Sequence, residues 1–175
     1  MGRKEISYNQ SMENILYAPW RDEYVTNQKI EGCVFCHISE NADNDTTLHV
    51  LYTDKYCFIV MNRYPYTPGH FMIIPHKHTD ALENLDSETW LHMSALAQKG
   101  VKLLKEGLNA QGVNIGMNLG KAAGAGIAEH IHMHLVPRWE RDTNFITAIG
   151  KTRVYSTDFD KIYEKILNLM PKYLP

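Results

Sequence analysis

Residues 130–136 read His-Ile-His-Met-His-Leu-Val, and strict alternation of imidazole with apolar side chains is the two-residue period of a β-strand. The segment is expected in a sheet, with His130, His132 and His134 on one face. Ile131, Met133 and Leu135 then face the other way and anchor the strand in a core. Same-face neighbours stand about 6.5–7 Å apart, so three protonated rings would repel and their titrations must be coupled. A row of neutral imidazoles suits nucleophilic, acid–base or metal-ligating work. The plainer reading is a solvated strand face that happens to be rich in histidine, a costly arrangement with no use attached.

The rest of the chain must form a core around that strand. Its 175 residues, 44% apolar and 22% charged, fit one globular domain. A net charge of −2 gives no basis for non-specific attraction to nucleic acid or membrane, and no apolar run approaches the roughly 20 residues of a membrane span. The polar start over 1–10 lacks the apolar centre of a secretory signal. Three cysteines, two of them in Cys33-Val-Phe-Cys36, fit a reducing compartment better than a disulfide framework. A cytoplasmic protein is expected.

The pattern along the chain predicts an α+β fold: a five-stranded, mostly antiparallel sheet with one long helix packed on it and a C-terminal helix. Residues 1–32 form an N-terminal extension with a helical turn around 12–16, and the polar 41–46 stretch is a loop. Strands are expected over 48–52, 56–61, 71–74, 113–117 and 130–136. Asp86 is a good N-cap for a helix in which Met93, Leu96, Ala97, Val101, Leu104 and Leu108 keep helical spacing to about 109. Trp90 joins Met93, Leu96, Ala97 and Leu104 in an apolar surface that either packs on the chain's own sheet or pairs two copies of the chain. Phe159, Ile162, Tyr163, Ile166, Leu169 and Met170 mark the last helix, which Pro171 is expected to stop. The main domain is placed at 33–149 and a C-terminal extension at 150–175.

Two further groups carry chemistry. The loop from Asn118 to Gly126 is built of small residues whose backbone N–H groups could line an anion site beside the histidines. It is not a Walker A loop, since too few residues separate its glycines and no Ser or Thr follows Lys121. Cys33-x-x-Cys36 could hold zinc, act as a thiol–disulfide pair, or be two packed cysteines. Zinc would need two more ligands, for which His76, His78, His92 and the row at 130–134 are available.

Taken together, His130-Ile-His-Met-His-Leu-Val136 resembles the His-φ-His-φ-His-φ-φ signature of the histidine-triad family of nucleotidyl hydrolases and transferases. The likeness extends over roughly 33–149. Asn62-Arg-Tyr-Pro-Tyr-Thr-Pro-Gly-His70 resembles the family's ribose-binding strand end and the turn after it. Asn114-Ile-Gly-Met-Asn-Leu-Gly120 with Ala123-Gly124 resembles its phosphate loop. The flanks Leu16-Tyr-Ala-Pro-Trp-Arg21 and Pro137-Arg-Trp-Glu-Arg-Asp-Thr-Asn-Phe145 are similar to a bacterial branch that includes diadenosine tetraphosphate phosphorylases and hydrolases.

The resemblance implies an enzyme cleaving at the α-phosphate of a dinucleoside polyphosphate or related adenosine nucleotide, with no organic cofactor. His132 matches the nucleophile that carries a nucleotidyl-histidine intermediate, and His134 a phosphate-contacting residue. Asn118 and the backbone from Gly124 to Gly126 match groups that stabilise charge on the phosphoryl oxygens. Asn62 matches the ribose position, and Ile38, Phe58 and Met61 stand as walls of a base pocket. Cys33, Cys36, His78 and His130 match a closed structural zinc site in the family's zinc-bearing members, while Cys57 is expected as a buried strand residue. The family also implies a homodimer. One departure bears on the second step: where many members carry Gln or Ser shortly before the first triad histidine, this chain has Gly126 and Ile127. Acid assistance would then fall to His134 or Glu129. Water is the favoured acceptor, with inorganic phosphate the alternative. A zinc hydrolase with metal on all three triad histidines, or a nucleotide-binding protein with little turnover, would be separated from this reading by metal content and by a covalent adduct.

Overall fold

The computed structural model describes residues 32–43, 45–140, 142–150 and 155–174. The expected extension over 1–31, with its turn at 12–16 and the 16–21 flank, lies outside the described residues. Five strands, β1 (Val50–Thr53), β2 (Cys57–Met61), β3 (Phe71–Pro75), β4 (Gly112–Gly116) and β5 (Met133–Arg138), form one sheet in the order β1-β2-β3-β5-β4. Every neighbouring pair is antiparallel. Four α-helices accompany it among the described residues: α1 (Val34–Asn41), α2 (Ser87–Gly107), α3 (Phe145–Gly150) and α4 (Phe159–Tyr173). The α+β architecture is as the sequence pattern implies. No helix among the described residues is long and apolar enough to cross a membrane.

The sheet separates two apolar clusters. Cys57, Ile59 and Met61 of β2, with Phe71 and Ile73 of β3, join Leu135 and the buried faces of α2 and α4 in the larger one. The alternate residues Phe58, Val60, Met72 and Ile74 join Phe35 of α1 in the smaller one. Both faces of β2 and β3 are therefore apolar, and all ten of their residues are buried.

Helix α2 begins where Asp86 accepts the Thr89 N–H at 2.8 Å and the Thr89 hydroxyl at 3.0 Å. Met93, Leu96, Ala97, Leu103 and Leu104 are buried along one stripe, and full burial of a side chain such as Leu103 stabilises by about 1.5–3 kcal/mol. At Gly100 a Cβ would stand 2.8 Å from Leu135 and 3.0 Å from Phe71, so glycine sets how closely α2 lies on the sheet. The apolar surface that suggested pairing of two copies is thus used within the chain: Met93, Leu96, Ala97 and Leu104 enter its own core, and Trp90 packs partly buried against it.

Helix α4, capped by Asp158 on the Lys161 N–H at 3.0 Å, adds Ile166, Met170 and Tyr173 to the same core. Pro171 does not stop it, contrary to expectation. Proline in a final turn removes one amide bond only, and burial of Tyr173 and Leu174 holds the turn in place. Two helices escaped the sequence reading, α1 directly after Cys33 and the exposed six-residue α3. The last strand also starts later than expected, at Met133 rather than His130. Upstream, Ile131 donates its N–H to the Thr79 carbonyl at 2.9 Å, a turn residue rather than a strand partner.

Candidate active site

Although only His134 of the three lies in a paired strand, the alternation persists. His130 and His132 are buried and His134 is half-buried, on the side of the sheet away from α2. Phe35 of α1 packs against both inner rings, 5.6 Å from His130 and 5.0 Å from His132 between centroids. The rings of His132 and His134 stand edge to face at 4.9 Å.

Hydrogen bonds to groups with only one role fix the tautomers. The His130 carbonyl can only accept, so the 2.8 Å contact from Nδ1 of His132 places a proton on Nδ1 and leaves Nε2 with its lone pair. The Pro75 carbonyl, 2.9 Å from Nε2 of His130, likewise leaves Nδ1 of His130 free to ligate. The Tyr66 backbone N–H donates to Nδ1 of His70 at 3.2 Å. Nε2 of His70 then carries the proton and donates to Nδ1 of His134 at 2.9 Å, which leaves His134 with Nε2–H as its donor.

Burial disfavours the charged form of His70, His130 and His134. It pulls His70 down to about 3 and His134 to about 4, with neighbouring imidazoles adding to the shift in both. His130 is lowered by burial too, against the opposing pull of the Pro75 carbonyl. The two outer rings of the row are thus both disfavoured as cations.

Four donors meet beside His130. Sγ of Cys33 and of Cys36 lie 3.4 and 3.7 Å from its Nδ1, and Sγ of Cys36 lies 3.2 Å from Nδ1 of His78. All four ligand atoms fall within 4.8 Å of one another. Zinc bonded tetrahedrally to sulfur at about 2.3 Å and imidazole nitrogen at about 2.0 Å sets S···N separations near 3.5 Å, and the cluster has that size. Nδ1 of His130 faces the sulfurs because Nε2 is spent on Pro75, the usual orienting arrangement for a ligating histidine. Cys57 is fully buried in β2 as expected. Its sulfur approaches Asp54 and His92, but the Asp54 carboxylate is already engaged by Tyr52, Tyr56, Cys57 and His92.

The other expected residues separate into groups. Asn62 closes the β2–β3 hairpin with its N–H on the His70 carbonyl at 3.0 Å; its Oδ1 accepts the Tyr64 N–H at 2.9 Å, and Nδ2 lies 3.3 Å from Nε2 of His70. Asn118 and His134 line one cleft of about 290 Å³. Asn118 donates to the Gly124 carbonyl across its loop at 3.5 Å, and Gly124 needs glycine for its φ of 88°. Gly126 is exposed, with nothing within 4 Å of the position a Cβ would take. Ile38 packs against the Phe58 cluster, but Met61 belongs to the α2 side of the sheet and cannot wall a pocket on the histidine side. Residues 56–61 are continuously apolar apart from Tyr56, so no alternation marked which of them face the site. His70 was read only as the end of a turn, although a histidine after Pro-Gly at a strand entry was the available signal.

The chain is similar to known proteins in sequence and in fold. The model of the HIT domain matches residues 44–141. An AP-4-A phosphorylase of Mycobacterium tuberculosis is 34% identical over 148 residues, covering 79% of this chain and 75% of that protein. A bis(5'-adenosyl)-triphosphatase of Dictyostelium discoideum is 28% identical over 93 residues, 53% of this chain and 62% of that one. The crystal structure of a Zn-bound histidine triad family protein from Mycobacterium smegmatis superposes with a TM-score of 0.66 at 31% identity, covering 81% of this chain and 94% of its own.

Proposed function

This chain belongs to the HIT domain family, and on that premise we propose that it transfers the nucleotidyl group of a dinucleoside polyphosphate through a covalent intermediate on His132. One observation carries the reading: Nδ1–H of His132 is held on the His130 carbonyl at 2.8 Å, so a neutral ring offers Nε2 as nucleophile. Nε2 attacks the α-phosphorus while the bridging P–O bond breaks, its electron pair leaving with the nucleoside polyphosphate. The imidazolium so formed keeps its Nδ1–H on a carbonyl, a bond strengthened by the new positive charge. His134 donates Nε2–H to a phosphoryl oxygen, and Asn118 with the backbone around Gly124 and Gly126 supplies further donors where charge develops. Asn62 holds the ribose, with Ile38 and Phe58 beside the base.

In the second step an acceptor oxygen attacks phosphorus, and the N–P electrons return to Nε2. Water, losing a proton to solvent, releases a nucleoside monophosphate. The 34% identity to a protein named AP-4-A phosphorylase favours a second reading for this step alone. Inorganic phosphate then attacks instead and releases a nucleoside diphosphate.

Cys33, Cys36, His78 and His130 are the residues that would hold a structural zinc, which ties α1 to the segments entering and leaving the site. Strand β4 is an edge of the sheet with Ile115 half exposed, which supports a homodimer built on that edge; sedimentation at micromolar concentration checks it. Free thiols at Cys33, Cys36 and Cys57 support a reducing compartment, the cytoplasm.

The test of the reaction is rapid quenching of the protein with a dinucleoside tetraphosphate, followed by intact-mass analysis. A nucleotidyl adduct is expected on wild type and none on His132→Ala, with nucleotide binding retained by the variant. Turnover by His132→Ala near the wild-type rate overturns the assignment.

A further inference from the structure

The cleft that His134 lines extends well beyond it. On β5 the residues His134, Val136 and Arg138 share a face, and their partners on β4 are Gly116, Asn114 and Gly112. Four residues of strand carry the trough about 13 Å outward from His134. Its room comes from glycine: at Gly116, directly opposite His134, an added Cβ would meet nothing within 4 Å. Tyr66 forms one wall. The residue is 53% exposed, yet its ring stands tilted 4.8 Å from the His70 ring and 6.0 Å from that of His134.

The far end is fixed and electrically balanced. Arg138 donates from Nε and Nη2 to the two carboxylate oxygens of Asp142 at 2.6 and 2.7 Å, and from Nη1 to Oδ1 of Asn114 at 3.0 Å. A guanidinium committed to a carboxylate in this bidentate fashion is a poor receptor for another anion. With its oxygen spent on Arg138, the Asn114 amide keeps its Nδ2 hydrogens to offer. The trough therefore combines an aromatic wall, an apolar floor at Val136 and a neutral polar end. Those features suit a planar, uncharged, hydroxylated group rather than more phosphate.

We propose that this trough is the subsite for the leaving nucleoside of a dinucleoside polyphosphate, with Tyr66 stacking the second base and the Asn114–Arg138 pair reading its polar edge or ribose. The inference rests on the reading of His132 as nucleophile, because it is that assignment which puts the departing half of the substrate on the β4 side of His134. It makes discrimination between two-headed and one-headed nucleotides a property of the sheet edge, separate from the bond-breaking groups.

The full-length protein is titrated calorimetrically with a methylene-bridged dinucleoside tetraphosphate and, separately, with a nucleoside tetraphosphate that has the same phosphate chain but no second nucleoside. The two-headed ligand is expected to bind about tenfold tighter, the scale of one base stacked on an aromatic ring. Tyr66→Ala and Asn114→Ala are each expected to reduce that ratio towards one. Equal affinity of wild type for the two ligands overturns the subsite, and so do variants that weaken both ligands in parallel. Failure of the one-headed ligand to bind at all instead sinks the nucleotidyl-transfer reading, and the subsite with it, so the two failures are told apart.

Discussion

His70 donates from Nε2 to Nδ1 of His134 across 2.9 Å, and the backbone N–H of Tyr66 decides which nitrogen of His70 does so. A loop amide thereby sets the protonation pattern of a strand residue, with one buried ring between them. His134 can meet a phosphoryl oxygen as a donor only in the tautomer this relation enforces.

Replacing His70 by Phe removes that control while keeping an aromatic ring in the buried position. Turnover is expected to fall about 10–100-fold, the usual effect of losing a partner that orients a working imidazole, with KM little changed. His70→Gln, which retains an N–H donor, is expected to recover part of the loss. Steady-state kinetics on the three proteins checks this, and an unchanged kcat in His70→Phe sinks it.

Acid should destabilise the fold through the same rings. His70 near 3 and His134 near 4 both lie below the ordinary 6.5, so between those values the unfolded chain binds protons that the folded chain refuses. Stability is then full above about pH 6.5 and is lost as pH falls towards 4. Thermal midpoints at about pH 7 and about pH 5 should differ less in a His70→Phe/His134→Phe variant than in wild type. Any metal loss in acid affects both proteins and cancels in the comparison; equal slopes refute the prediction.

Protein purified without added metal is expected to contain one zinc per chain, and Cys36→Ser or His78→Ala to contain little. Thiolate ligands must be deprotonated, so metal content should decline on acidification. Loss of the metal is expected to speed amide exchange in α1 more than in α2. A metal-free protein with undiminished protection of α1 counts against the site.

Choice of acceptor should lie in the Asn118–Gly126 loop, since the histidines form the same intermediate whichever acceptor follows. Millimolar phosphate is expected to move the product of dinucleoside tetraphosphate cleavage from nucleoside monophosphate towards diphosphate. The open space at Gly126 lets Gly126→Ser fold normally while adding a hydroxyl to the loop, and the product ratio should change. Chromatography of products with and without phosphate reads it; identical ratios in both proteins dismiss the loop.

Where sequence periodicity was strong and local, the fold was legible. The α2 stripe and its Asp86 cap are examples, as is the alternation of His130, His132 and His134. The strand boundary at 130 was not, because alternation reports extended backbone without saying what it pairs with. Here the amide of Ile131 goes to Thr79, and Pro75, at the end of β3, has no N–H to extend the ladder. Helix α1 is only eight residues, too few for a periodic signal. The four candidate metal ligands were named through family resemblance; sequence alone could not choose among the available histidines, since Cys36 and His78 stand 42 positions apart. The His70–His134 contact spans 64 positions and leaves no local trace.

Because both faces of β2 and β3 are apolar, the hydrophobic pattern cannot by itself tell one pairing of these strands from another displaced by a residue. The choice falls to the hairpin's closing bonds, Asn62 N–H on the His70 carbonyl and His76 N–H on the Tyr56 carbonyl, and to Gly69, whose φ of 84° strains any side chain and where an added Cβ would stand 2.7 Å from a Leu108 methyl. The side chains add their own locks, Asn62 Oδ1 accepting the Tyr64 N–H and His70 Nδ1 accepting the Tyr66 N–H, so Asn62 and His70 index the hairpin before any nucleotide is met. Substitutions there would produce mispaired chains as well as weakened ones, so a screen scoring only surviving activity would confound two distinct kinds of damage at these positions.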